Sequence, residues 1–466
     1  MNMKKTLSLV LASALSLSLL AGCGGNGGQS AGGSKSNQPS GGSSQGGASQ
    51  GTSGKQYDGV TINMWSMWSS GEPQANVIEE AAAAFKEQTG ATVNIEFKGR
   101  DVNKVLTASL EAKEAIDIIE DDYKRIGTVY APFTYDLTDM AKAVNYDSFS
   151  YKCLNDQSIT WVGDLLTKIE REKAEKEGKT EKEIEEIVVP GFLNAIAEQP
   201  QVGGIFYDKD AFAKAGVSAE PKTWAEFLTV CQQLKDAGIA PIAQDSAYCD
   251  FAFYHQLVRY LGEEKIEELD MNGGWSGSAA VQAAQDIIDL VNAGYFVDGA
   301  PDEFPSSENK IGFGQAAMIV CANYVTAEVN NQTGTQVNWG LFNYPAVDGG
   351  VDNASAYAGA NSLAITSYSE NAQAAFDFII FLTTGEMDQK MADTAAQIPA
   401  DSRNKAPELL NGTVETLLAA DKPMTWCAGI SANADVKDAI KSLCVELFEG
   451  KYATGADFCK ALDALY

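Results

Sequence analysis

Residues Gly203–Ile242, GGIFYDKDAFAKAGVSAEPKTWAEFLTVCQQLKDAGIAPI, decide how this chain folds. Gly204-Ile205-Phe206-Tyr207 is a short apolar run that reads as a strand, and Asp208 to Ala215 follows as a helical segment. Pro221-Lys222-Thr223-Trp224-Ala225-Glu226-Phe227 then opens a second helix. Thr223 is a good N-cap and Glu226 stands three residues on, the spacing at which the two side chains satisfy each other's backbone N–H groups. Gly238-Ile239-Ala240-Pro241-Ile242 is another short apolar run. Strands therefore alternate with helices, as in a parallel sheet covered by helices.

The same grammar appears upstream. Val60 to Met64 alternates as a strand, and Gln74 to Gln88 sets Val77, Ile78, Ala81, Ala82 and Phe85 on one helical face before Gly90. Ala91 to Phe97 points Val93, Ile95 and Phe97 one way, Val102 to Lys113 returns to helical spacing, and Ala115 to Ile119 is a third short strand. With right-handed crossovers this β-α-β-α-β run builds a parallel sheet, and ligands on such sheets gather beyond the carboxyl ends of the strands. That rule selects Trp65-Ser66-Met67-Trp68-Ser69-Ser70, after the first strand, and Glu120-Asp121-Asp122-Tyr123, after the third. Carbohydrates present apolar C–H faces beside fans of hydroxyls, so a site for them needs flat rings and acceptor-rich carboxylates. Core packing for the tryptophans and a solvated loop for the acids are the competing readings.

Trp161 to Glu198 differs, because Lys168 to Glu186 is dense in Lys and Glu at i,i+4 spacing, as in Lys168/Glu172 and Glu172/Lys176. It reads as a solvated, charged helical insertion. Further on, Ala279 to Asn292 and Asn371 to Thr383 carry apolar stripes, such as Ala375, Phe378, Ile379 and Leu382. Gly359 to Ile365 reads as a strand between them.

At the other end, Met1 to Lys5 carries two positive charges and Thr6 to Leu20 is apolar apart from small hydroxyl residues, too short to cross roughly 30 Å of hydrocarbon. This is an export signal, residues 1–22, ending at Leu20-Ala21-Gly22-Cys23. Gly24 to Gln56 holds no acid and almost nothing apolar, so it cannot bury enough surface to fold and reads as a tether with a mean reach of roughly 30 Å. Beyond Gln56 stand 30 basic against 63 acidic side chains, a net of −33. A field of that sign repels phosphate backbones, so nucleic acid is excluded as a partner. The remaining 410 or so residues exceed what one core usually supports, which implies two lobes. Seven cysteines follow Cys23, at 153, 231, 249, 321, 427, 444 and 459. They show no C-x-x-C element and no cysteine/histidine cluster, so they read as buried small hydrophobes with room for one disulfide.

The quoted stretch resembles the middle segment of family 1 extracellular solute-binding proteins, which include maltose-binding proteins and many sugar-capturing lipoproteins of ABC importers. Gly312 to Val325, GFGQAAMIVCANYV, is similar to that family's F-x-x-G-x-A-A-M-x-x-x-G-x-W element. Asn361 to Glu386, NSLAITSYSENAQAAFDFIIFLTTGE, is similar to its late strand, helix and turn, and Gln397 to Ala400 to the Ile-Pro that follows. The resemblance implies an α/β, two-lobe periplasmic-binding-protein type II fold with three interlobe crossings, a hinge and a ligand in the cleft. It places the crossings near Gln201 to Gly204, Leu341 to Val347 and Gly385 to Ile398. One lobe is then 57–203 plus 346–387, with the insertion at 161–198, and the other 204–345 plus 388–466. The Leu-Ala-Gly-Cys end of the signal resembles a bacterial lipoprotein signal. That implies lipid on Cys23, a membrane-anchored monomer on the outer side of the cell membrane, and handover to an ABC permease.

The resemblance also assigns candidate site residues. AIDIIEDDYKRIG matches the segment whose residues bind sugar hydroxyls, which points to Glu120, Asp121 and Asp122. Tyr324 stands where relatives have a stacking tryptophan. AYCDFAFYHQ supplies Tyr248 and Asp250, and Trp426 lies before the last helices, where relatives stack a sugar face. Gln201 precedes the strand at the first crossing, Tyr357 and Asn361 flank a strand reaching the hinge, and Trp65 and Trp68, selected by the strand-end rule, complete the set. Trp224 follows a Pro-x-Thr-Trp that is structural in relatives.

A tethered glycoside hydrolase would share the aromatics and acids of such a cleft. The chain, however, has no G-x-S-x-G, H-E-x-x-H or Walker loop, and His255 is its one histidine, which removes histidine dyads and multi-histidine metal sites. Asp270-x-Asn272-Gly273 starts like a calcium loop, but Val281 stands at position twelve. No catalysis and no cofactor are expected. A binding protein for a non-carbohydrate solute, such as a cationic amine, is the alternative that stays open.

Overall fold

The protein is described here by a computed structural model covering residues 54–410, 412–419, 423–426, 430, 433 and 435–466. The export signal, Cys23 and the tether up to residue 53 lie outside the described residues, as does Cys427. Among the described residues no helix is long and apolar enough to cross a membrane.

Among the described residues eight strands are hydrogen-bonded together, β1 (Thr61–Ser66), β2 (Thr92–Phe97), β3 (Ile118–Asp122), β4 (Ile196–Asp208), β5 (Ala240–Ile242), β6 (Ala316–Ala322), β7 (Trp339–Phe342) and β8 (Ala358–Ile365). Their order is β2-β1-β3-β8-β4-β6-β5, with β7 also on β4. β1 lies between β2 and β3, parallel to both, as the β-α-β-α-β reading requires. The intervening helix Pro73–Thr89 buries Val77, Ile78, Ala81, Ala82 and Phe85 and ends at Gly90, whose φ of 89° suits a residue without Cβ. The Thr223/Glu226 capping box is formed in full.

Two large cores flank this path. Ile62, Met64, Ile118, Leu363 and Phe378 belong to the first, and Ile205, Phe253, Trp275, Ala283 and Phe458 to the second. β6 (AAMIVCA) is buried along its whole length, because Met318, Val320 and Ala322 face the second core while Ile319 and Cys321 face a smaller one with Phe206, Val329 and Trp339. The six described cysteines after Cys23 are all buried and free.

The lobes are joined where three crossings run side by side. β4 pairs with β8 over Ile196–Val202 and with β6 and β7 over Gly203–Asp208, so one strand serves both sheets. The Gly203 amide donates to Tyr357 O at 3.0 Å, and the Met424 amide donates to Ala356 O at 2.9 Å. Asn323 closes the bundle, its Oδ1 accepting from the Val202 amide at 2.9 Å and its amide donating to Val202 O at 3.0 Å.

Three expected boundaries move. Tyr344, Val347 and Tyr357 stay in or beside the second lobe, because the buried Arg259 guanidinium donates to Tyr344 O, Asp352 O and Ser355 O; the second crossing therefore falls at Tyr357, not within 341–347. Met391, Ala395, Ile398, Leu410 and Leu417 pack in the first core and Met424 in the second, so the chain is still on the first core beyond the expected 385–398. The charged insertion is built from helices Lys152–Lys176 and Glu181–Glu185, and it ends before Asn194, which is buried against Ser158. Glu198, expected inside that insertion, is a buried residue of β4. The helical pairs on the insertion are Lys152/Asp156, Lys173/Glu170 and Lys182/Glu186, rather than those of Lys168, Glu172 and Lys176.

Candidate functional site

The first lobe brings its acids and rings together at the carboxyl ends of β1 and β3. Trp65 closes β1 under the Lys98 ammonium, 3.9 Å from the ring centroid, and Trp68 lies under the Arg100 guanidinium at 4.1 Å. Both indoles are almost wholly buried, so core packing and cation–π contact hold them, each worth of the order of 1 kcal/mol. Arg100 is fixed in turn, donating to Met67 O at 2.9 Å and to both Glu72 oxygens at 3.0 and 3.1 Å.

Glu120 stands in the last turns of the sheet with 0% exposure, and neither of its carboxyl oxygens has a hydrogen-bond partner of standard geometry. Glu198, from β4, is its neighbour and is equally buried and unpartnered. Burial raises the pKa of both. The Glu120 charge raises that of Glu198 further, whereas the nearby Glu198 and Ser66 side chains and the Trp68 indole favour ionised Glu120. Two neighbouring buried carboxyls disfavour each other's charge, so both hold a proton more tightly than a solvated carboxyl does. Trp68 Nε1, Gln199 Nε2 and Ser362 Oγ, also buried, lack partners too. This floor gathers buried polar atoms beside one another, with Ser66, Trp68 and Glu198 near Glu120 and Gln199 near Glu198.

The second lobe contributes rings. Trp426 stacks on Phe251 at 3.8 Å and 9°, and Tyr357 meets Trp426 edge-on at 5.5 Å. Tyr248 lies 6.3 Å from Tyr324 and 6.2 Å from Trp426, and Tyr324 lies 6.4 Å from Trp426. Tyr248, Tyr324 and Trp426 are half-buried, leaving part of each ring accessible. All four sequence-derived aromatics of this lobe thus meet beside the crossings: Tyr248 ahead of helix Cys249–Leu261, Tyr324 at the start of helix Tyr324–Thr333, Tyr357 ahead of β8, and Trp426 after the third crossing. Gln201 joins them by accepting the Tyr357 hydroxyl at 3.0 Å.

Acids sit beneath these rings as well. Asp245 accepts the Ser307 and Glu308 amides at 2.9 and 3.0 Å. Glu308 is fully buried with both oxygens unpartnered, and one oxygen of Glu328 is in the same state. Burial, then neighbouring carboxylates, push Glu308 up to about 9; burial pushes Glu328 up to about 7 against the pull of Arg100 from the first lobe.

Other sequence-derived residues, Glu120 excepted, lie apart from this constellation. Glu120, Asp121 and Asp122 belong to β3 itself rather than to the loop after it. Asp121 is locked by Arg125 at 2.7 and 3.0 Å and by the Tyr130 hydroxyl at 3.0 Å. Asp122 caps helix Tyr123–Thr128 through the Arg125 amide. Asp250 accepts the Phe251 amide, and burial raises its pKa against the opposing pull of Lys441 on helix Lys437–Phe448. Asn361 is half-buried in β8, in register with Asp122 and Gln199. Trp224 stacks on Phe227 and Tyr344, a packing role. His255 is buried, bound to Phe251 O and held neutral, its pKa lowered by burial to about 3. Arg100, Glu198, Gln199, Phe251, Glu308 and Glu328 were not singled out from sequence. For Glu198 a signal existed, a lone acid in Ala195–Val202 just before Gly203-Gly204.

Comparison with curated proteins gives no match. Among solved structures, the chain is similar to a chitin oligosaccharide binding protein, 19% identical, with 87% of this chain and 97% of that one covered and a TM-score of 0.64. A sugar transporter from Bacillus licheniformis in complex with stachyose is 16% identical over 87% and 99%, with a TM-score of 0.60. Maltose-bound T. maritima MalE3 is 20% identical over 87% and 98%, with a TM-score of 0.61. These likenesses establish a shared two-lobe fold. Residues 68–388, more than half of the chain, match the family described as bacterial extracellular solute-binding protein. With both sheets joined through β4 and a ring-and-acid constellation at the crossings, the chain belongs to the bacterial extracellular solute-binding protein family.

Proposed function

We propose that this protein captures a carbohydrate between its lobes and hands it unaltered to an ABC permease. The observation that carries this reading is the meeting of Tyr248, Tyr324, Tyr357 and Trp426 beside three interlobe crossings, with unpartnered buried acids in both lobes. Sugar C–H faces stack on such rings, and hydroxyls satisfy such acceptors. The solved relatives that hold stachyose and maltose support the ligand class. Capture then follows from ligand contacts made by both lobes at once, which favour the closed arrangement over the open one.

On this reading the chain is exported, lipidated at Cys23 and tethered by 23–56, so that it works as a monomer outside the membrane. Contacts to ligand are assigned to Trp68, Glu120, Gln201, Tyr248, Tyr324, Tyr357 and Trp426, with Glu198 added. Trp65, Asp121, Asp122, Asp250 and Asn361 support the site from its edge.

Calorimetric titration with a panel of neutral and charged oligosaccharides tests the proposal. Saturable binding of at least one glycan, recovered intact by chromatography, supports it. Shortened products with sustained turnover would replace it with a hydrolase, and binding of simple amines without any glycan would replace it with a cationic-solute carrier.

A further inference from the structure

The acids under the second-lobe rings are more numerous than neutral hydroxyls require. Tyr324 and Glu328 are four residues apart on helix Tyr324–Thr333 and so share a face. Glu308 reaches the same place from helix Ser306–Gly312, and Tyr248 is close enough that both glutamates act on its hydroxyl. Phe304 packs edge-on against Tyr248 at 5.9 Å, extending the ring wall. Glu308 is wholly buried, both oxygens lack a partner, and one oxygen of Glu328 does too. The nearby cations are committed elsewhere. Lys310 is bound to Asp302 and Asp298 O, both at 2.5 Å, and Arg100 to Glu72 and Met67 O.

We propose, resting on the carbohydrate reading above, that the sugar carries a free amino group, held as an ammonium between Glu308 and Glu328 against the Tyr248 and Tyr324 rings. An ammonium on an aromatic face is attracted by the ring quadrupole, and more strongly once water is excluded. A hydroxyl would hydrogen-bond to the protonated acids and leave them neutral, whereas an ammonium pairs with their ionised forms and so gains charge attraction in a site shielded from water.

Charge bookkeeping at the site gives a second signature. Asp245 raises the affinity of both glutamates for protons, Arg100 lowers that of Glu328, Lys310 and Asp302 act on Asp245 with opposite sign, and Tyr248, Tyr324 and Cys321 stay neutral. Without ligand, protons stand in for the missing cation. An arriving ammonium takes their place, so the carboxyl O–H bonds break and the protons leave to the buffer.

The test titrates the full chain with β-1,4-linked glucosamine oligomers, their N-acetylated counterparts and glucose oligomers of equal length, in two buffers of different ionisation enthalpy. The expected result is about tenfold or tighter binding of the free-amine series, with proton release, and reduction of that preference to under about threefold in Glu328→Gln. Glu328 is half-buried and Gln is nearly the same size, so this variant changes charge with little change in packing; Glu308→Gln, checked for folding by circular dichroism, provides the second arm. Equal or weaker binding of the amine series than of the neutral series overturns the inference while leaving the carbohydrate reading standing. An amine preference retained in both variants overturns this placement of the ammonium. Failure of all three series, and of the wider panel above, removes the carbohydrate reading together with the inference.

Discussion

Tyr357 donates its hydroxyl to Gln201 at 3.0 Å while its ring lies directly over Gly203, so one side chain clamps the first crossing from the second. A Cβ built on Gly203 would come within 2.8 Å of the Tyr357 ring and 3.0 Å of Phe251. Gly203→Ala is therefore expected to lose about 1–3 kcal/mol of stability, read as a lower urea midpoint at unchanged slope. A midpoint equal to the parent's would mean that the crossings shift apart freely.

Replacing Tyr324 or Trp426 by Ala is expected to weaken glycan binding by about 1–3 kcal/mol each. Trp426→Ala also removes the 3.8 Å stack on Phe251 and should cost stability, whereas Tyr324→Ala should act mainly on affinity. Isothermal titration paired with thermal melts separates the two. Unchanged titration curves for both variants would eliminate the ring wall as a binding surface.

Glu308 holds its proton up to about pH 9 in the folded protein, against an ordinary value of 4.5, so the native state binds the extra proton between those limits. Stability therefore falls as pH rises through that window, because the unfolded chain releases the proton first. Glu308→Gln cannot ionise and should show a flatter decline, measured by urea midpoints at several pH values between about 5 and about 8. A variant that declines as steeply as the parent would show that Glu308 is ionised in the native state.

Arg259 is 0% exposed and feeds three backbone carbonyls, Tyr344 O, Asp352 O and Ser355 O. Arg259→Ala leaves these acceptors short of donors in the interior and is expected to cost about 3 kcal/mol or more. The loss should appear in the melting temperature, with amide exchange accelerated first in 343–357. Slow exchange there would mean that other contacts hold the segment.

Local rules made much of the fold readable. The period-2 and period-3.6 patterns located β1, β2 and helix Pro73–Thr89, and the Thr223/Glu226 box marked a helix start to the residue. Tyr248, Tyr324 and Trp426 are named through the family resemblance and Tyr357 as a polar residue flanking a strand, and the structure brings the four rings together beside the crossings. The state of the acids was not legible, since a carboxylate reads the same whether it is solvated or buried. Asp121 is neutralised by Arg125 four residues on, yet nothing local distinguishes it from Glu120, whose state depends on Glu198, 78 residues away. The later crossings escaped for a similar reason, as their positions are set by Arg259 and by the packing of Met391 and Leu417, contacts between segments remote in sequence.

β4 carries its own consequence for how the protein comes apart. Its thirteen consecutive residues run from one sheet, at Ile196–Val202, straight into the other, at Gly203–Asp208, so peeling this strand from either one disturbs the other. Neither half has a private route to denaturation, and heating should yield one cooperative endotherm where two halves on slack linkers would give two.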